Sequence, residues 1–203
     1  RGSIYLTPRS LRDASNPWRN EIKQINAWQP EQGDVLFVAG LDWQVVPKTL
    51  PITIPIINLV QSVRHADPND ERYAFLRRAA IRIGVSQEVS DALLATRRVQ
   101  GPVVTIQNGV ELPAVVRPKS AHRNRVFIDG IKNTSLAREI EIRLSRRQIA
   151  TYVNVRRLPR PDYLELLASA EVVVLLPRPT EGFYLPPLEA MALGALVICP
   201  DCV

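Results

Sequence analysis

No apolar run in this chain approaches the ~20 residues that a helix needs to cross a bilayer. The longest, Val172–Pro177 and Ala195–Pro200, are strand-length. Residues 1–12 lack the apolar stretch and small-residue cleavage site of a signal peptide, so the cytoplasm is the expected location. Cysteine is scarce: Cys199 and Cys202 are the only two, in Cys-Pro-Asp-Cys. Such a pair can be redox-active or supply half of a zinc site. Zinc would need two more ligands, and the only histidines, His65 and His122, are far off in sequence. The redox motif normally opens a helix directly, whereas here the sequence stops at Val203. The expectation is two reduced cysteines at a strand end. No Asp-x-Asp and no ligand cluster occurs, so no metal requirement is expected. Internal repeats and low-complexity segments are missing too.

What is present is ordinary for a globular protein: 46% hydrophobic and 23% charged residues, in a length that suits one large domain or two small ones. The charge is unevenly placed. Between Arg123 and Arg160 ten basic residues face three acidic ones, a local +7 within a chain of net +6, so the rest carries −1. A basic field suits phosphates, anionic lipid or nucleic acid. Nucleic acid is not expected, because stacking residues are few: Phe127 falls in a buried strand, leaving Tyr152 and Tyr163. For most of these arginines a solvated helix face is the plainer reading.

Short apolar runs alternate with helical periods. The expected strands are Ile4–Leu6, Asp34–Ala39, Ile56–Val60, Ile81–Val85 and Val103–Ile106. A second series follows: Arg125–Ile128, Tyr152–Val155, Val172–Leu176 and Leu196–Cys199. They are Val- and Ile-rich and mostly continuous, as buried parallel strands are. Helices are expected over Gln87–Thr96 behind the cap Ser86, over Ser135–Ser145 with Leu136, Ile140 and Leu144 on one face, and over Asp162–Ala170. The alternation predicts α/β layers on parallel sheets. A Pro-bearing, aperiodic stretch separates the two series. It predicts one lobe over residues 1–112, a linker over 113–124 and a second lobe over 125–203. Two such lobes would place a cleft at the carboxyl ends of their sheets, where open α/β sheets bind ligands.

The densest signal spans Leu175 to Ile198. A buried strand ends at Pro177 and a loop exposes Glu181. Gly182 permits close backbone approach, Pro186 and Pro187 suit a first helical turn, Glu189 sits early in that helix, and Gly194 ends it. Two carboxylates eight positions apart therefore face one strand-to-helix mouth, whose free N–H groups favour an anion or hydroxyl oxygens.

The run Glu-Gly-Phe-x-x-Pro-x-Leu-Glu-Ala-Met-Ala-x-Gly over Glu181–Gly194 resembles the E-x7-E segment of retaining glycosyltransferases of glycosyltransferase family 4, whose GT-B fold has two Rossmann-like lobes. The resemblance implies that Glu181 lies against the donor sugar near the reacting centre. It implies that Glu189 hydrogen-bonds the nucleotide ribose, and that the backbone around Gly182, Phe183 and Tyr184 contacts the sugar. Upstream, Ile83–Leu93 looks like the strand and serine-capped helix late in the family's acceptor lobe. Thr105–Glu111 looks like the turn that closes it, although Asn108-Gly109 also suits a bare turn. His65, after the strand Ile56–Val60, stands near where many relatives carry a histidine beside the donor sugar. For the diphosphate, the family supplies Gly-Arg and a later Lys; the nearest counterparts are Gly130 and Lys132, with Ile131 at the arginine position and Arg178 in reserve.

The family continues through further donor-lobe strands, and its first lobe opens with a Gly-rich loop that is missing here. An abbreviated or truncated member with an incomplete donor lobe is therefore expected. The resemblance implies transfer of a sugar from a nucleoside-diphosphate sugar to a hydroxyl of a glycan, lipid-linked or small-molecule acceptor, with retained configuration. It implies no cofactor and leaves contact with the inner membrane face open. A non-catalytic nucleotide-binding module, or a partner subunit of a transferase, is the alternative.

Overall fold

The computed structural model describes residues 2–10, 16, 23–25, 30–31, 34–51, 53–111 and 126–201. The expected linker 113–124, Arg125, His122 and Cys202 lie outside them. The chain divides into two compact units, Arg1–Ile106 and Gln107–Val203.

In the first unit, β1 (Ser3–Tyr5) and β2 (Lys23–Ile25) form a two-stranded parallel pair. The main sheet is parallel in the order β3 (Leu36–Ala39), β4 (Ile56–Val60), β5 (Ile81–Gly84), β6 (Val103–Thr105). A 3-10 helix, Gly40–Gln44, joins β3 to β4; two more, Val63–Ala66 and Glu71–Arg77, join β4 to β5. Among the described residues of this unit the one α-helix, α1 (Gln87–Ala95), joins β5 to β6, and its cap Ser86 accepts the Val89 N–H as expected. Alternation along each strand sends Leu36, Val38, Ile56 and Val60 to one face. There Trp43, Val46, Ile54 and Ala80 complete a core. On the other face Phe37, Ile57 and Ile81 stand in register, with Phe37 and Ile81 exposed.

The second unit runs β7 (Val126–Asp129), α2 (Thr134–Ser145), β8 (Thr151–Asn154), α3 (Arg160–Ser169), β9 (Val172–Leu175), α4 (Leu185–Ala192) and β10 (Leu196–Ile198). Its parallel sheet has the order β10-β9-β7-β8. From β7 the chain steps outward to β8, then returns past β7 to β9. The order therefore reverses between β7 and β9, the kind of switch point at whose carboxyl ends open α/β sheets bind ligands. The helices cover both faces. Phe127, Val173 and Leu175 pack with Leu164 and Leu167 of α3 and Ala190 of α4. Ile128 and Val174, one residue along, pack with Ala137 of α2. These fully buried leucines contribute roughly 1.5–3 kcal/mol each.

Leu136 is exposed, and Ala137 is the fully buried residue of α2, flanked by the partly buried Ile140 and Leu144. A Cβ at Gly130 would overlap the Ala137 methyl, so glycine at the end of β7 lets α2 start close against the strand. At so short a separation only the smallest helical side chain fits inward.

Candidate functional site

Three loops at the carboxyl edge of the second sheet carry the site. After β7 comes Gly130–Asn133, whose Asn133 caps α2 by accepting the Leu136 N–H. After β9 comes the loop from Leu176 to Tyr184, and after β8 the segment from Val155 to Pro159. Arg160 then opens α3.

Asp129, the last residue of β7, is buried. Its Oδ2 accepts the Tyr163 hydroxyl at 3.0 Å, and its Oδ1 accepts Asn154 Nδ2 at 3.3 Å and the Ile131 N–H at 3.4 Å. The Gly130 N–H donates to the Asn154 carbonyl at 2.8 Å. This web fixes the exit of β7 against β8 and α3. Burial raises the Tyr163 pKa well above its usual value, as do the negative charge and hydrogen bond of Asp129, so the phenol stays protonated.

Lys132 reaches from the β7 loop to the β9 loop, where its Nζ meets Glu181 Oε1 at 2.6 Å. The same ammonium lies 4.4 Å from the centre of the Tyr184 ring, a cation–π contact. The Arg178 N–H also donates to Glu181 Oε1, at 3.4 Å. Four of the expected residues, Lys132, Arg178, Glu181 and Tyr184, thus meet at the switch point. Gly182 and Phe183 lie in the same loop, half-buried.

Glu189, five residues into α4, is 3% exposed and accepts from Arg160 Nη1 at 2.6 Å. Pro186 and Pro187 occupy the first helical turn before it, where missing N–H groups cost nothing. A nearly buried carboxylate requires such a partner. The two ion pairs cancel, two cations against two carboxylates. Arg156, Arg157 and Arg178 are exposed and carry no side-chain ion pair or hydrogen bond. They leave the carboxyl edge of this sheet with net positive charge.

His65 belongs to the first unit. It is buried in the 3-10 helix that follows β4, and burial together with the Arg72 guanidinium lowers its pKa to about 4. The imidazole is neutral at pH 7. Among the described residues no cluster of His, Cys, Asp or Glu could hold a metal ion. No described helix is long and apolar enough to cross a membrane. Cys199 follows β10 and its Sγ donates to the Pro200 carbonyl at 3.3 Å.

Asp129, Asn154 and Tyr163 were not among the expected site residues, and Arg160 figured only as part of the basic stretch. The Asp-Gly at the end of an apolar strand was the available signal for the first. Fold and site together define an α/β protein with two four-stranded parallel sheets, the second doubly wound with a charged cluster at its switch point. The chain matches no protein-family model and no curated protein.

Proposed function

We propose that the chain is part of a retaining glycosyltransferase of the GT-B, family 4 type. Its second unit would bind the nucleoside-diphosphate sugar and its first would serve the acceptor. The observation that carries this reading is the placement of the two glutamates of the E-x7-E run. Both stand at the one switch point, Glu181 held by Lys132 from the loop after β7 and Glu189 by Arg160 from the start of α3.

In this reading Glu189, oriented by Arg160, receives the ribose hydroxyls. Glu181 faces the sugar and stabilises the positive charge that grows on its ring as the bond to the diphosphate breaks. The departing phosphate oxygen takes the acceptor hydroxyl's proton on the face where the new bond forms, which retains configuration. Lys132 has three donors. One holds Glu181, and the others turn toward the diphosphate, joined by Arg178, Arg156 and Arg157 in place of the arginine that Ile131 lacks. In the same reading the neutral imidazole of His65 is a hydrogen-bonding group for the donor sugar.

The test is calorimetric titration with UDP, GDP, ADP, CDP and TDP. One nucleotide is expected to bind, and Glu189→Ala should weaken it by about 1.5–3 kcal/mol, roughly 10- to 150-fold. Glu181→Gln should spare nucleotide affinity while lowering kcat for sugar transfer, because the charge it removes acts on the transition state. Binding of none of the five would overturn the reading. Binding with no transfer to any acceptor would favour the non-catalytic module.

A further inference from the structure

The geometry points to a second ligand site, in the first unit, for a small molecule that joins one anionic group to an apolar body. It lies in a cavity of about 560 Å³, within the roughly 300–1,000 Å³ range of small-molecule pockets. Its walls come from the segments that lead into β4, β5 and β6. The cavity therefore sits at the amino-terminal edge of the sheet, the opposite edge from His65. It is independent of the nucleotide-sugar reading.

The floor is apolar: Leu50, Ile54, Ile56, Ala80 and Ile81. Its shape is set in advance. Pro47, Pro51, Pro55 and Pro102 fix four points of the backbone around it. Gly101 has φ +106°, and a Cβ there would overlap the Ala80 carbonyl, so two of the wall segments touch backbone to backbone. Arg78 ties a third. Its guanidinium donates to the carbonyls of Trp43 (3.1 Å), Val46 (3.0 Å) and Pro47 (2.7 Å), and lies 4.7 Å from the centre of the Trp43 ring. A cavity held this way is ready for a ligand without the cost of ordering it.

The rim is cationic. Lys48, Arg77 and Arg78 line the cavity, and among the described residues no carboxylate does. Arg78 is offset by carbonyl dipoles and the Trp43 ring, and burial lowers its pKa. Lys48 and Arg77 make no side-chain hydrogen bond or ion pair and have free donors. Three positive charges beside an apolar floor select against neutral lipids, which offer no counter-charge. They also select against simple anions, which leave the floor wet. An alkyl phosphate or fatty carboxylate satisfies both parts.

Octyl phosphate below its micelle concentration is the probe, with 1-octanol and inorganic phosphate as controls. Octyl phosphate is expected to bind at least about tenfold more tightly than either control. The Lys48→Gln, Arg77→Gln double variant, whose changes are exposed and leave the fold intact, should lose about tenfold for octyl phosphate and nothing for octanol. Flotation with vesicles of phosphatidic acid in phosphatidylcholine identifies the source. Recruitment lost in the double variant marks a lipid headgroup, and no recruitment alongside octyl phosphate binding marks a free molecule. Equal affinity for octanol and octyl phosphate, an unaltered double variant, or no octyl phosphate binding would each overturn the site.

Discussion

Burial of the His65 imidazole, with the guanidinium groups of Arg72, Arg64 and Arg82 near it, pulls its pKa down to about 4, and only Asp70 acts the other way. In the unfolded chain a histidine titrates near about 6.5. The folded value is the lower one, so between these limits protons bind the unfolded state preferentially. The stability tied to the neutral imidazole is fully present above about pH 6.5 and is lost as pH falls to about 4, to a total of about 3 kcal/mol. Urea midpoints measured from pH 7.5 to 4 should fall more steeply in the wild type than in His65→Gln; parallel curves would show that the ring is solvated. The same scale shows why some site residues were legible and others not. Glu181 and Glu189 stand out because Gly182, Pro186, Pro187 and Gly194 punctuate the run around them, each with a local conformational reason. Arg160 did not stand out, since its partner lies 29 positions along the chain and spacing alone cannot join them. Asp129 looks like half of an Asp-Gly turn until Asn154 and Tyr163 are brought to it by a crossover.

Among the elements, the described strands β1 and β3–β10 stand within one or two residues of the expected positions, as do the four helices. Continuous Val and Ile runs and caps are local signals, and a parallel strand buried on both faces needs no alternation to be seen. The 3-10 helices of the first unit went unread, because three residues per turn over so short a length leaves no period to detect. The innermost residue of α2 went unread for a different reason. Hydrophobicity favoured Leu136, whereas the contact at Gly130 has room only for Ala137. Arg82 is the element-scale extreme. It is fully buried in β5 and gives its guanidinium to the carbonyls of Ala80, Gln100, Phe75, Leu76 and Arg78, with no carboxylate partner among the described residues. It stitches the 3-10 helix Glu71–Arg77 and the approach to β6 onto the sheet. Arg82→Met would strand those carbonyls in the core and should cost at least about 3 kcal/mol in urea unfolding. Arg143→Met, which breaks only an exposed i,i+4 pair, should cost under about 1 kcal/mol. Equal effects would mean that the Arg82 carbonyls find other donors.

At the scale of the molecule, the break between the two strand series suggested a linker over 113–124, and the two compact units adjoin in sequence at Ile106/Gln107. The strand order was not legible, since nothing local tells β9 to return past β7. That order is what gathers Lys132, Glu181, Arg160 and Glu189. The core clusters also divide by unit: Trp43 and its neighbours in the first, Phe127 and Ile128 with theirs in the second. Heat absorption on warming should therefore resolve into two endotherms rather than one, each with its own enthalpy. A cognate nucleoside diphosphate at a hundred times its Kd would add about 2.7 kcal/mol to one endotherm alone. That is a displacement on the order of 10 °C for a unit of this size, while the other peak stays fixed. Octyl phosphate should move the stationary peak and spare the first. A single scan with each ligand then reports which half of the chain it occupies, without a mutation being made.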